Sequence, residues 1–376
     1  MKCSIFIASL VIFLVTTSNT CKQLNTSGNI YRTGQYITLD QLADSLKNEF
    51  DIAISNDSVL KYAFVIKNKT NSVSRQAGTE NNNNTIPFTI DSRYNLASVT
   101  KTITAVALLQ LIEKKGLSLG DEIWPYLPKN WTIPNNVKRI SFQQILMHNS
   151  GFVTDPPDET YENARITIAN DVRAQDIGKH DYKNINYGIC RILIAYLDGY
   201  FPGLEVNQGK ATSDRFMHYV QSNIFDRINI RNILFKPDIG KNPVLFYNLP
   251  YSSNDPGYGG GDWTLKPGSA GIFLSMNDLS QFLNSLSAEE TILSNNMKVQ
   301  MNSRSTLMGW DDAGNFQGDN FLYKGGYLPP GNAKSAIYIF QNGLQISVIW
   351  NGVLDSPDYV YEAYRKAWAH SKTPGN

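Results

Sequence analysis

The sequence predicts a mixed α+β protein, because a mainly helical middle region is followed by a C-terminal third with strand alternation. The middle of the chain, about residues 117–255, has the pattern of helices and loops, whereas the C-terminal third alternates like antiparallel strands. With 376 residues, 42% of them hydrophobic, the chain can bury a sizeable core. No long linker rich in Pro, Gly or Ser divides it, so we expect one domain over residues 37–376.

The charge balance excludes two classes of protein. The 34 Lys and Arg residues against 33 Asp and Glu residues give a formal net charge of +1. A disordered chain needs low hydrophobicity and a high net charge, and a dedicated nucleic-acid binder needs a positive surplus to neutralise phosphates. Four His and three Cys residues leave little material for a zinc site of the Cys/His type.

The N-terminal segment predicts export. Lys2 precedes a short apolar run and a small polar tail, which together have the pattern of a secretory signal peptide over residues 1–20. Cys21 stands where a bacterial lipoprotein carries its lipid, although the residues just before it depart from the usual pattern and ordinary signal cleavage is the alternative. We therefore expect a tether over residues 21–36 and a periplasmic or envelope-anchored protein, with a membrane attachment through Cys21.

Three elements precede the middle region. Residues 37–50 have a Thr cap and helical apolar spacing, and residues 62–66 are typical of a buried strand. Residues 102–116 predict a longer helix, which is apolar almost all round between Ile103 and Ile112. A helix without a polar face lies in the protein interior, so we expect this one to be buried.

The remaining predicted elements are four helices, followed by three strands and a last helix. Asn342 and Gly343 join the last two strands, and this dipeptide is a strong hairpin signal because it supplies the positive φ of a tight turn. Cys190 lies in an apolar stretch and is expected to be a buried, unreactive thiol. Helices are predicted at residues 140–148, 185–197, 213–224, 276–286 and 357–370, and strands at residues 321–324, 335–340 and 344–350.

The start of the buried helix carries the first chemical signal. Ser98 and Lys101 are spaced i, i+3, which brings their side chains within reach of each other. A serine hydroxyl is a weak nucleophile until a base takes its proton, and a lysine can be that base if burial and nearby positive charge lower its pKa. The helix N-terminus adds amide donors where an oxyanion forms. The location and the spacing both suit acyl transfer, but Ser-x-x-Lys alone is a short motif that also occurs by chance.

Two further groups strengthen this signal. Tyr182-Lys183-Asn184 precedes an apolar helix, and Lys324-Gly325-Gly326 ends a strand. With these motifs in this order, the sequence resembles the serine β-lactamase and penicillin-binding protein family, and within it the class C-like branch that includes D,D-peptidases and esterases. Residues 146–152 and 268–278 are similar to two more motifs of the family. The resemblance covers about residues 40–370.

The resemblance implies a fold and a catalytic set. The fold is β-lactamase/transpeptidase-like, with an antiparallel sheet flanked by helices and a mainly helical inserted region. Ser98 is then the nucleophile, and Lys101 accepts or relays its proton. Tyr182 acts as a phenolate-like base and later as the acid for the leaving group. This mechanism needs no metal and no organic cofactor.

The resemblance also implies a substrate-binding set. Asn184 binds the substrate amide or the lysine ammonium, and Lys324 lowers the pKa of its neighbours and attracts a substrate carboxylate. The backbone N–H groups of the nucleophile and of Tyr327 form the oxyanion hole. The residues assigned to substrate binding are Asn184, Lys324, Gly325, Gly326 and Tyr327.

Two departures from the family pattern affect the choice of substrate. Gly325 replaces a Thr or Ser that binds a carboxylate in many penicillin-recognising members, and Tyr327 is bulky where a small residue is frequent. His148 is expected to be a structural residue that hydrogen-bonds across a loop. A Ser-His-Asp triad is the weaker account, because the sequence contains no Gly-x-Ser-x-Gly elbow.

The predicted function is a serine hydrolase that cleaves amide or ester bonds of a small-molecule or peptide substrate. Its type could be D,D-peptidase, D-aminopeptidase, β-lactamase or esterase. One alternative is a penicillin-binding or sensing envelope protein with slow or no turnover. Another is a non-catalytic envelope lipoprotein that keeps the fold for interaction. No nucleic-acid partner is expected.

Overall fold

A computed structural model describes residues 28–373, apart from residues 33, 83–84, 201–206 and 239–242. The predicted signal peptide and Cys21 lie outside the described residues, so export and lipidation stay predictions. Among the helices that are described, none combines the length and the apolar character needed to cross a bilayer.

The described chain begins with a β hairpin that overlaps the C-terminal part of the segment predicted to be a tether. Strand β1 (Asn29–Arg32) pairs antiparallel with strand β2 (Gln35–Thr38). Each strand buries an isoleucine completely, and Arg32 forms an ion pair with Asp319 at 2.8 Å. The tether prediction for residues 21–36 is therefore wrong for the hairpin residues, because these buried and paired side chains order a stretch that is otherwise polar.

A six-stranded antiparallel sheet forms the centre of the fold, in the spatial order β4-β3-β10-β9-β8-β7. Gly343, with φ of 86°, lies in the turn between the last two strands, as predicted. The predicted α+β class with an antiparallel sheet is confirmed. After the hairpin, the strands are β3 (Val59–Lys67), β4 (Ser72–Ala77), β5 (Tyr94–Asn95), β6 (Phe273–Leu274), β7 (Asn315–Phe316), β8 (Asp319–Leu328), β9 (Ala333–Phe340) and β10 (Gln345–Gly352).

The predicted helices are present, with limits that differ from the predicted ones by up to five residues. Thr38 caps the first helix, and its Oγ1 accepts from the backbone N of Gln41 at 3.0 Å. Ser275 caps the seventh helix, because its Oγ accepts from the backbone N of Asp278. The helices are α1 (Leu39–Ser55), α2 (Thr100–Lys114), α3 (Phe142–Leu146), α4 (Tyr161–Ala169), α5 (Asn184–Leu197), α6 (Gln208–Val220), α7 (Met276–Ala288), α8 (Asn295–Met301) and α9 (Ser356–Ala369).

Two hydrophobic cores lie on opposite faces of the sheet, because successive side chains of a strand point to opposite faces. On β3, Ala63 and Val65 belong to the core that contains α2, α5 and α7. Tyr62, Phe64 and Ile66 belong to the core that contains α1 and α9. The sheet therefore separates two helical layers, and the inserted helices from α3 to α6 extend the first of them.

Helix α2 is the buried helix that the sequence predicts. All of its residues from 100 to 109 are buried. Thr102 Oγ1 donates to the carbonyl O of Gly309, and Thr104 Oγ1 donates to the carbonyl O of Gly268, each at 2.7 Å. A helix anchored on two sides holds the residues at its N-terminus in a defined position.

Cys190 confirms the sequence-based expectation for a buried thiol. It lies in α5, is completely buried and is not part of a disulfide. Burial raises the pKa of the Cys190 thiol, so the side chain stays protonated and does not act as a nucleophile.

Gly326 allows β8 to pack directly on the segment that precedes α2. A Cβ atom at this position would lie 2.6 Å from the carbonyl O of Leu96 and 2.5 Å from Ser335 Oγ. We expect Gly326→Ala to lower the free energy of unfolding by about 1–3 kcal/mol, as overpacking does. Gly120→Ala is the control, because its Cβ would meet Ser118 Oγ at an ordinary 3.6 Å. Urea denaturation measures both, and equal midpoints would contradict the prediction.

Candidate active site

Ser98 lies in a single 3₁₀ turn, Ala97–Val99, that leads directly into α2. The side-chain oxygen of Asn95 holds this turn, because it accepts from the backbone N of Ala97 at 2.9 Å and of Gly271 at 3.1 Å. Ala97 has φ of 48°, in the left-handed region that is costly for any residue with a side chain. The surrounding structure therefore imposes the position of the serine.

Lys101 places its ammonium group against three oxygen atoms. Its Nζ donates to Ser98 Oγ at 3.1 Å, to Asn184 Oδ1 at 2.7 Å and to the carbonyl O of Ser269 at 2.9 Å. The residue is completely buried, and this burial lowers the pKa of Lys101, to which the positive charge of Lys324 adds. A lowered pKa is what a lysine needs to act as a base near neutral pH.

Tyr182 approaches the same hydroxyl from the other side. Its Oη donates to Ser98 Oγ at 3.0 Å and lies 3.5 Å from the Nζ of Lys324. The ammonium groups of Lys101 and Lys324 lie 5.0 and 4.9 Å from the centre of its ring. Burial of the phenol raises its pKa, but the two ammonium groups outweigh this and the pKa of Tyr182 falls below its usual value. The pKa of Tyr182 is lowered although 41% of the residue is exposed, because its hydroxyl end faces the ammonium groups.

His148 supports Tyr182 instead of acting on the serine. Its ring stacks on the Tyr182 ring with 4.3 Å between centroids, and its Nδ1 accepts from the backbone N of Lys183 at 3.2 Å. Burial and the nearby positive charges hold the pKa of His148 well below its usual value, so the imidazole is neutral. This arrangement agrees with the structural role expected for His148.

Asp155 orients Asn184, and sequence reasoning missed it. Its two carboxylate oxygens accept from the backbone N of Asn184 and of Ile185, each at 3.0 Å. A carboxylate at a helix N-terminus is favourable because it meets unpaired N–H groups and the positive end of the helix dipole. Asp155 thereby fixes the first turn of α5. The Asn184 side chain can then reach Lys101.

Asp311 is a second residue that sequence reasoning missed. It forms an ion pair with Lys324, which lies on β8 and is 1% exposed. Its other carboxylate oxygen accepts from the backbone N of Gly325 at 3.0 Å. Lys324 and Gly325 were both assigned to substrate binding from the sequence. No local pattern signals that a loop aspartate occupies them both.

Glu159 places a carboxyl group in the same buried region. The residue is 4% exposed, and burial raises the pKa of its carboxyl although the Lys101 ammonium opposes this. Among the described residues its Oε2 has no hydrogen-bond partner. A Cβ atom at Gly188 would lie 2.5 Å from the Glu159 Cβ, so this glycine provides the space for Glu159. The sequence offers no motif that would have identified Glu159.

The oxyanion hole predicted from the sequence requires β8 to lie close to the turn that carries Ser98. Gly326 allows the close approach described above, and Tyr327 follows it on the strand. The Tyr327 side chain is 49% exposed, and its ring centre lies 5.0 Å from the Nζ of Lys334. Gly326 of β8 therefore packs on Ala97, the residue before Ser98, while the role of the Tyr327 backbone as an oxyanion donor stays a prediction.

The site lies within a segment that matches a known family. The family model described as Beta-lactamase matches residues 61–367. Protein flp of Staphylococcus aureus (strain COL) is 24% identical over 142 residues, which make up 35% of this chain and 28% of that protein. The chain thus spans less than a third of the length of this curated relative.

Solved structures share the fold at low sequence identity. The octameric penicillin-binding protein homologue from Pyrococcus abyssi superposes with a TM-score of 0.69 and 18% identity, covering 87% of this chain and 77% of that one. The D-amino acid amidase from Ochrobactrum anthropi SV3, complexed with L-phenylalanine amide, superposes with a TM-score of 0.67 and 17% identity. That match covers 87% of this chain and 99% of the amidase. These likenesses show the fold alone.

Proposed function

Because the chain belongs to the Beta-lactamase family, we propose that it is a serine hydrolase that cleaves amide or ester bonds through an acyl-enzyme on Ser98. One observation carries the proposal. The Ser98 hydroxyl lies 3.1 Å from the Nζ of Lys101 and 3.0 Å from the Oη of Tyr182, two groups whose pKa values are both lowered. A hydroxyl with two such neighbours can lose its proton as it attacks.

Acylation begins when Ser98 Oγ attacks the carbonyl carbon of the substrate. The hydroxyl proton passes to the neutral amine of Lys101 or to the phenolate of Tyr182. The oxyanion accepts from the backbone N–H groups of Ser98 and Tyr327. The bond to the leaving amine or alcohol then breaks, and Tyr182 returns a proton to that group.

Deacylation repeats these steps with water in place of the serine. A water molecule gives a proton to the same base and attacks the ester carbonyl carbon of the acyl-enzyme. The bond to Ser98 Oγ breaks, and the oxygen takes back its proton. The products are an acid and the free enzyme. The family and the neighbouring structures leave D,D-peptidase, D-aminopeptidase, β-lactamase and esterase activities as the candidate types within this scheme.

Covalent labelling tests the proposal. We expect a fluorophosphonate probe and a fluorescent penicillin to modify the protein on Ser98, because both form adducts with an activated serine. Peptide mass mapping identifies the modified residue. Ser98→Ala is expected to abolish the adduct, and Ser55→Ala, a change at an exposed serine that ends α1, is expected to leave it intact.

The lifetime of the adduct separates two of the functions that the sequence leaves open, a hydrolase and a penicillin-binding or sensing protein. An acyl-enzyme that releases its product favours the hydrolase. A penicillin adduct that persists without product release favours a binding or sensing protein. No adduct on Ser98 with either probe would overturn the proposal.

We also propose that the protein is exported and held at the cell envelope. The signal-like pattern of residues 1–20 and the position of Cys21 support this. Mass spectrometry of the purified protein from its host tests it. A diacylglyceryl adduct on Cys21 is the expected result, and a chain that retains residues 1–20 would contradict export.

A further inference from the structure

We propose that Asp311 is a specificity-determining residue that makes the site select substrates without a carboxylate next to the scissile bond. The inference rests on the proposed acyl transfer at Ser98 and concerns the same site. Asp311 occupies the two donors that a substrate carboxylate would need beside the nucleophile, which are the Lys324 ammonium and the Gly325 N–H.

The Lys324 ammonium and the Gly325 N–H together form a complete carboxylate site. An ammonium group and a backbone N–H that converge on one carboxylate provide two charge-assisted hydrogen bonds. The Nζ of Lys324 lies 3.5 Å from the Oη of Tyr182, which itself contacts Ser98, so the site is adjacent to the reacting hydroxyl. Asp311 fills it with one oxygen on each donor.

Contacts on two sides hold the loop of Asp311 in place. Its backbone N donates to the carbonyl O of Tyr323 at 2.8 Å, which joins the Asp311 loop to β8. Two residues earlier, the carbonyl O of Gly309 accepts from Thr102 Oγ1 on α2, and a Cβ atom at Gly309 would lie 2.9 Å from Ala105. The loop is thus fixed to the nucleophile helix and to the strand that carries Lys324.

An approaching ligand meets the negative charge of Asp311 first. The Lys324 side chain is 2% exposed, whereas the Asp311 side chain is 31% exposed, so solvent and substrate reach the carboxylate before the ammonium. A substrate carboxylate would have to displace Asp311 or lie beside a like charge, which is unfavourable at short distance. Lys101 cannot serve instead, because it is completely buried and already meets three oxygens. An uncharged amide or ester group meets no such opposition.

A pair of thioesters tests the inference. The two substrates are N-acyl-D-alanyl thioesters that differ in the leaving group, which is thioglycolate with a carboxylate or thioglycolamide without one. Release of the thiol gives kcat/KM for each. We expect wild type to prefer the thioglycolamide ester. In Asp311→Asn, the ratio of kcat/KM for the anionic to the neutral ester is expected to rise by about tenfold or more, the factor that one charge-assisted hydrogen bond supplies.

Asp312→Asn is the matched control, because it removes the same charge from the same loop. Asp312 Oδ1 accepts from the backbone N of Ala313 and does not bond to Lys324. For Asp312→Asn, the ratio of kcat/KM for the anionic to the neutral ester is expected to stay within about twofold of wild type, since an exposed charge that does not contact the donors is screened by solvent and salt. Asp311→Ala gives a second measurement that does not depend on how an asparagine amide orients.

The outcomes distinguish a failure of the inference from a failure of the proposed function. A wild type that prefers the thioglycolate ester, or a ratio that Asp311→Asn and Asp311→Ala leave unchanged while both esters are hydrolysed, would overturn the inference alone. If neither ester is hydrolysed and the fluorophosphonate probe leaves Ser98 unmodified, the proposed function fails and the inference fails with it.

Discussion

Lys101→Met is expected to lower kcat by about 10²- to 10⁴-fold, the range that a general base contributes. The Nζ of Lys101 lies 3.1 Å from Ser98 Oγ, and burial lowers its pKa, so the amine can take the serine proton. Methionine keeps the length and most of the volume of the side chain in a completely buried position. The change therefore removes the base without leaving a large cavity. Steady-state and single-turnover kinetics with a chromogenic ester measure the loss.

Lys114→Met is the control for this prediction. Lys114 lies in the last turn of the same helix, α2, and is exposed. We expect it to retain wild-type kcat, and circular dichroism melts check that both variants are folded. A Lys101→Met protein that is folded and retains more than about a tenth of wild-type kcat would show that Lys101 is not the base.

Tyr182→Phe is expected to lower kcat by about 10²- to 10³-fold, because it removes the group that shares the serine proton and protonates the leaving group. The Oη of Tyr182 lies 3.0 Å from Ser98 Oγ, and phenylalanine preserves the stacking on His148. Tyr361→Phe, a change at an exposed tyrosine of α9, is the control. The loss should be smaller for substrates with a good leaving group. Equal losses for good and poor leaving groups would argue against the acid role.

The pH dependence of kcat/KM tests the electrostatic origin of this chemistry. The pKa values of Lys101 and Tyr182 are both lowered, and the positive charge of Lys324 contributes to both shifts. In wild type, kcat/KM should rise as the pH increases through the coupled titration of this pair, at a lower pH than an unperturbed lysine and tyrosine would give. Lys324→Met removes the positive charge and leaves Asp311 nearby, so the pKa values of Lys101 and Tyr182 rise and the increase in kcat/KM moves to higher pH. A move to lower pH would contradict this account.

Much of the fold could be predicted from the sequence, because its signals are local. The apolar run of α2, the Thr38 cap and the turn at Gly343 each depend on neighbours along the chain, and the structure has all three. The tether prediction failed over the hairpin because β1 and β2 are ordered by contacts with residues far along the chain, such as the pair between Arg32 and Asp319. Composition does not report such contacts.

For the candidate site, too, the sequence predicted some residues and missed others. The side chains that the sequence assigned to chemistry do converge, since Ser98, Lys101 and Tyr182 meet within 3.1 Å of the serine oxygen. Asp155, Glu159 and Asp311 were missed, because each lies in a stretch without a motif and acts on a residue from another segment.

The sequence by itself brought Ser98 and Lys101, the proposed nucleophile and base, together, because residues spaced i, i+3 at a helix start have neighbouring side chains. It also determined the family, through the order of its motifs. The tertiary structure alone decided the charge that a substrate meets. The packing of the Asp311 loop between α2 and β8 turns the Lys324 ammonium from a free cation into one half of an ion pair, and a contact of this kind is set by packing and not by any local pattern.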